Sequence, residues 1–167
     1  MAVDLSSGAN ATMTATDDEP RRGVNIAMRM MEPNEILEYI DEKPRSAHIA
    51  TVRADGGPHV SVIWVIRDGD EMVFTTWATS VKGRNMARTG RAAISIDDPA
   101  DSSYVAIEGT VTIDVDPDLA RWWATRLGGK YMGTDRAEEF GQQNGVPGEV
   151  TCRLRPTRMS GARGITD

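Results

Sequence analysis

The chain has 167 residues, 40% of them hydrophobic and 26% charged, with a single cysteine and a formal net charge of −6 at pH 7. That length suits one domain, because two halves would each have a marginal core, and no run approaches the ~20 apolar residues of a membrane span. One cysteine and two histidines exclude a disulfide framework and a zinc site closed by Cys and His alone, and the acidic balance speaks against a nucleic-acid binder.

Residues 1–30 read as a flexible tail, rich in Ala, Ser, Thr, Gly and Asp and without apolar period. No basic region followed by an apolar run marks a secretory signal there, so the expected compartment is the cytoplasm. A helix is predicted over 33–42, with Pro33 at its first position and Ile36, Leu37 and Ile40 on one face. Strands follow at 47–52, 58–67 and 71–77, the second nearly all apolar and expected to be covered on both faces. Asp68 and Gly69 mark a two-residue hairpin turn. A helix over 81–89 has Ser80 as N-cap and Gly90 just past its end. Strands at 91–97 and 104–115 come next, with Gly109 marking a bulge or bend in the second. Asp116 and Pro117 open a helix that ends at Gly128 and Gly129; a short helix spans 134–140, and a last strand 149–155. Hairpin-linked strands make the sheet mostly antiparallel. Six of them, one bent, suggest a small barrel closed to remove exposed edges.

The chemistry concentrates in residues 79–91. Lys82, Arg84, Arg88 and Arg91 stand there without an acid, among Thr79, Ser80 and Asn85. The first turn of a helix at Val81 would add open N–H groups and the positive end of its dipole. A phosphate is the natural occupant; the plainer alternative is a solvated cationic helix face. The hydroxyls of Thr75 and Thr76 suit the polyol or ring atoms of a nucleotide-like ligand, though Thr also simply favours strands. Trp64 and Trp77 are each as apt to pack in the core as to stack on a flat ring. His48 and His59 flank the first hairpin and face each other across it, as hydrogen-bonded strand residues rather than metal ligands. Cys152 reads as a small buried hydrophobe. Arg153, Arg155, Arg158 and Arg163 form a second cationic cluster, to receive an anionic ligand tail or to pair with acids of the chain. There is no G-x-G-x-x-G, no P-loop and no G-x-S-x-G motif.

The run from Pro58 through Ser80-Val81-Lys82-Gly83-Arg84-Asn85 to Asp97, followed by Tyr104-Val105-Ala106-Ile107-Glu108-Gly109, resembles the split β-barrel proteins related to pyridoxamine 5′-phosphate oxidase. Within them it looks most like the actinobacterial flavin/deazaflavin oxidoreductases of the B group, over residues 34–160. The resemblance implies a mainly β fold with peripheral helices, a six-stranded FMN-binding split barrel in one domain over 31–160, and a C-terminal tail at 161–167. It implies a homodimer with cofactor sites at the subunit interface, and coenzyme F420 (an 8-hydroxy-5-deazaflavin) or FMN as the cofactor. Lys82, Arg84 and Asn85 then fall at phosphate-binding positions. Ser61, Val62, Ile63 and Trp64, with Thr75 and Thr76, would line the ring, while Ser103 and Tyr104 lie where the family brings in the other subunit. The segment from Thr151 to Pro156 lacks the Trp with which true pyridoxamine 5′-phosphate oxidases grip their substrate, which speaks against vitamin B6 oxidation.

Three functions follow from these readings. One is an F420-dependent reductase passing hydride to an electron-poor double bond of a small enone, quinone or imine, with its phosphodiester on Lys82 and Arg84. Another is an FMN oxidase or reductase. The third is a non-catalytic carrier of a flavin, haem or tetrapyrrole. In the first two the cofactor carries the chemistry, which accounts for the missing catalytic triad.

Overall fold

The fold is that of a computed structural model, which describes residues 29–100 and 102–164. In chain order it comprises β1 (Arg29–Met30), α1 (Pro33–Glu42), β2 (Ala47–Val52), β3 (Pro58–Ile63), β4 (Ile66–Asp68), β5 (Glu71–Trp77), α2 (Val81–Thr89), β6 (Arg91–Asp98), β7 (Ser103–Asp114), α3 (Pro117–Met132), a 3₁₀ turn (Thr134–Arg136), α4 (Ala137–Asn144) and β8 (Glu149–Arg163). All strands join one antiparallel sheet in the order β3-β2-β6-β7-β8-β5-β4, and β1 pairs with β8. Only two residues separate β3 from β4, yet they are the two end strands of that order. The sheet must therefore curl until its edges approach, which makes it a barrel with a seam. Alternation along β2 sends Ala47, Ile49 and Thr51 inward. Ile94, Ile107, Phe74 and Leu154 fill the interior, with Met86 of α2 and Ile36, Tyr39 and Ile40 of α1 packed against them.

The seam is where sequence periodicity misleads. The single strand expected over 58–67 breaks at Trp64 and Val65, because α3 holds Val65 in place of a neighbouring strand. Val65 is fully buried. Its N–H donates to the Tyr131 hydroxyl at 3.2 Å, and its carbonyl accepts from Lys130 Nζ at 3.2 Å. Lys130 also donates to the Ile40 carbonyl (2.8 Å), and Tyr131 to that of Arg45 (2.8 Å). Burial among these carbonyls pushes the Lys130 ammonium below its ordinary pKa and the Tyr131 phenol above its own. Tyr131→Phe should leave the Val65 amide unsatisfied and lower stability by about 1–3 kcal/mol, read from the urea midpoint.

Other boundaries shift for definable reasons. The β4–β5 pairing sets Asp68 opposite Glu71, so the loop is Gly69 and Asp70, one residue later than expected. α3 runs through Gly128 and Gly129 to Met132, since those glycines let α4 close on it: a Cβ at Gly128 would stand 2.6 Å from that of Phe140. β8 continues past Pro156 to Arg163, and β1 pairs Arg29 with Arg163 and Met30 with Ala162. Residues 29–30 and 161–163, expected in the tails, thus belong to the sheet; residues 1–28 lie outside the described ones. With this split strand and β1, the described residues form eight strands rather than six. Among the described residues, no helix is long and apolar enough to cross a membrane.

An ion-pair knot ties α1 to β6. Arg45 lies over the Tyr39 ring at 3.9 Å and donates to Asp98 (2.9 Å) and Glu42 (3.1 Å). Lys43 pairs with the same Asp98 carboxylate. Lys43 and Arg45 hold that carboxyl well below the usual carboxylate range. A carboxylate depressed in the folded state adds stability above its unfolded pKa of about 3.9, and that stability drains as pH falls toward the folded value. Asp98→Asn should therefore flatten the decline of the denaturation midpoint below about pH 4; an unchanged slope would mean the pairs contribute nothing.

Candidate cofactor site

The candidate residues lie on β5, on α2, which follows it and packs against β2 and β3, and on β3. Ser80 caps α2, its hydroxyl accepting from the Gly83 N–H at 3.0 Å and lying 3.3 Å from the Thr76 hydroxyl. The Arg84 amide reaches the Ser80 carbonyl at 3.0 Å. That leaves the Val81 and Lys82 amides of the first turn open to an anion, with no acid in that turn. Glycine is required at 83, because a Cβ there would stand 2.6 Å from the Trp77 carbonyl oxygen and 2.8 Å from that of Ala78. This close approach fixes the start of α2 against the end of β5.

The four cations of this segment divide. Arg84 folds back on the Thr79 carbonyl, and Arg88 donates to the Val52 carbonyl and to Asn85. Among the described residues, no carboxylate lies within salt-bridge distance of Lys82, Arg84, Arg88 or Arg91. Asn85 is turned into the barrel: it is buried, and its amide donates to the Thr51 hydroxyl at 3.0 Å. Thr51 in turn lies 3.4 Å from His59 Nδ1. His59 is paired in register with Thr51 and His48 with Val62, so the two histidines do not face each other.

On β3 the residues alternate. Ile63 is buried and Ser61 points the same way, its hydroxyl buried without a partner. Val60 and Val62 point outward and are 61% and 57% exposed, so the expectation of two covered faces fails for this chain alone. Trp64 stacks on Tyr131, rings parallel at 4.8 Å, with Phe140 at 4.9 Å, so its own chain occupies that ring. Trp77 is half exposed at the end of β5. Ser103 lies apart from these residues, buried, with its hydroxyl donating to Tyr39 at 2.9 Å. Tyr104 shares the outer face with Ala106.

The C-terminal arginines resolve toward acids of the chain. Arg153 pairs with Asp68 (2.8 Å) and Glu71 (3.2 Å), Arg155 with Glu71 (3.0 Å), and Arg163 with Glu42. Cys152 is fully buried, and burial pushes its thiol pKa up to about 12.

One group escaped the sequence reading. Glu149 opens β8 opposite Trp77 and is only 4% exposed. Burial raises its carboxyl pKa, against the opposing pull of a hydrogen bond with Thr75 and the charge of Lys82. No local pattern announces it, because its burial comes from strands distant in sequence.

These residues fit a phosphorylated cofactor. α2 offers a capped start with open amides and a lysine without a salt bridge, and β3 holds a buried Ser61 hydroxyl that has no protein partner.

Comparison with known proteins bears on the fold and the family. A solved structure described as an F420 reductase is 30% identical, covers 73% of this chain and 94% of its own, and superposes with a TM-score of 0.59. A conserved hypothetical protein from Mycobacterium tuberculosis is 25% identical, with 78% and 84% covered and a TM-score of 0.67. A pyridoxine/pyridoxamine 5′-phosphate oxidase from Pseudomonas paraeruginosa is 37% identical over 76 residues, so the chain spans only 35% of that enzyme's length. Residues 33–161 match the family described as pyridoxamine 5′-phosphate oxidase, and the chain belongs to this split-barrel family of flavin-binding oxidoreductases.

Proposed function

We propose that the chain is a reductase that uses coenzyme F420, bound at the seam with its phosphodiester at the start of α2. The observation that carries this reading is Lys82 beside two open helix amides, with no salt-bridge partner among the described residues. The 30% identity to an F420 reductase favours F420 over FMN. Bound reduced deazaflavin would supply a hydride to an electron-poor double bond of a small organic substrate. The chain's own part is to hold and orient: Lys82 and the Val81 and Lys82 amides take the phosphate, Ser61 bonds a ring heteroatom, and Thr76, which shares the inner face of β5 and meets Ser80, edges the ring, while Thr75 points to the opposite face.

A homodimer completes this reading. Val60, Val62, Ala50, Val52, Ala93 and Tyr104 share one outer face of β3, β2, β6 and β7. A groove of about 670 Å³ runs beside it, lined by Ala50, Val52, Pro58 and Ala93 among others. A second copy would cover these apolar side chains, with His48, Ser95, Asp97 and Glu108 of the same face left to polar partners.

Titration of the purified protein with F420 and FMN side by side, followed by fluorescence, tests the assignment. Saturable F420 binding at micromolar protein, tighter than FMN, is expected. A yellow protein that retains FMN and ignores F420 would shift the reading to an FMN enzyme on the same scaffold, and binding of neither would end it.

A further inference from the structure

Glu149 has no role in the reading above, although it stands beside two residues of the proposed site. It lies directly across from Trp77, against whose carbonyl the first turn of α2 packs at Gly83, and the Ala78 N–H donates to the carbonyl of its neighbour Gly148 at 2.9 Å. Among the described residues it has no salt-bridge partner. β5 presents Thr75 and Trp77 on this face, and α2 contributes the Lys82 charge. Farther along β8 stand Thr151, whose hydroxyl is buried and unpartnered, and Arg153, already paired with Asp68 and Glu71. β7 places Asp114 opposite Thr151, and α3 sets the Trp123 ring 5.1 Å from the Arg153 guanidinium. Among the described residues, Lys82 is thus the unpaired cation that acts on Glu149, and the buried Cys152 thiol of the same strand feels both charges.

We propose that Glu149 is a further residue of the cofactor site, and that an anion settling on Lys82 draws a proton onto it. The inference rests on the cofactor reading above. In the free protein, burial favours the neutral acid while Lys82 favours the carboxylate. A bound phosphate neutralises Lys82 and adds a like charge nearby, so both changes disfavour the carboxylate. The proton comes from solvent, and no other bond is made or broken. In the complex Glu149 is then the neutral acid.

Linkage gives the sign. Binding takes up a proton between the ionisation point of Glu149 in the free protein and its higher one in the complex. Affinity then falls as pH rises through that window, by up to about tenfold per pH unit.

Calorimetric titration with coenzyme F420, in buffers of different ionisation enthalpy across about pH 5 to 8, reads this uptake directly in the unaltered chain. Glu149→Gln keeps the shape and removes the titration, and the difference between the two proteins cancels protons that belong to F420 itself. The expected result is uptake approaching one proton in the unaltered chain that is lost in the variant, whose affinity is flatter with pH. Binding with equal proton counts in both would overturn the role of Glu149 and leave the cofactor site standing. No F420 binding by the unaltered chain would overturn both.

Discussion

Gly109→Ala should be the most damaging single-methyl change in the barrel. A Cβ built there would stand 2.2 Å from the Arg155 carbonyl oxygen and 2.7 Å from Leu154 Cδ2. The first of these is backbone in the middle of the β7–β8 ladder, the longest pairing of the sheet. It cannot swing aside as a side-chain tip could. Register shifts at this point: Glu108 pairs with Arg158 but Gly109 with Pro156, so Thr157 is extra, and its hydroxyl donates to the Glu108 carbonyl at 3.2 Å. A methyl group must therefore open the ladder where the bulge already weakens it. Overpacking typically costs about 1–3 kcal/mol and more where nothing yields; here about 3 kcal/mol or more is expected, a large part of an ordinary domain's stability. Gly129→Ala is the control, since its Cβ would meet only the Ala137 Cβ at 3.5 Å. In a helix interior that change should be neutral or stabilising by up to about 1 kcal/mol. Equal urea midpoints for the two variants would show that the β7–β8 contact is not as close as drawn.

The same pair shows what can be read locally. Gly109 is legible as a bulge because an isolated glycine in a β-branched run has few other uses. The bulged residue itself, Thr157, lies on the partner strand and leaves no mark near Gly109. Ser80 and Gly90 delimit α2 correctly because capping depends on residues within one turn. The cationic start of α2 is legible for the same reason. Features made by distant segments are not. Val65 leaves the sheet because Lys130 and Tyr131, some 65 residues on, take its backbone groups. Glycines 128 and 129 look like a helix end because they pack against a helix that follows. Asn85, polar and beside Lys82 in sequence, turns inward because Thr51 offers it an acceptor. Glu149 becomes a buried acid only once β8 lies beside β5. The cationic helix start could thus be placed from sequence, whereas the buried acid of β8 required the register of the sheet.

Lys82→Ala should weaken cofactor binding by tenfold to a hundredfold or more. The figure follows from the loss of one charged hydrogen bond, about 1.5–3 kcal/mol. The fold should hardly register the change. Lys82 is on the first turn of α2, partly exposed and without a salt bridge, so its removal should move the urea midpoint by no more than a typical surface substitution, about 0.5 kcal/mol. Arg84→Ala separates geometry from mere charge. Its guanidinium is engaged by the Thr79 carbonyl, so it must leave that acceptor before it can reach a ligand. If the site is a general cationic surface, the two substitutions should weaken binding equally and raised salt should erase most of the affinity. If the phosphate sits on the open amides of the first turn, Lys82→Ala should be clearly the more harmful, and the affinity left in that variant should persist at moderate salt. Full affinity in Lys82→Ala would place the phosphate elsewhere and remove the ground for assigning the start of α2 to a cofactor.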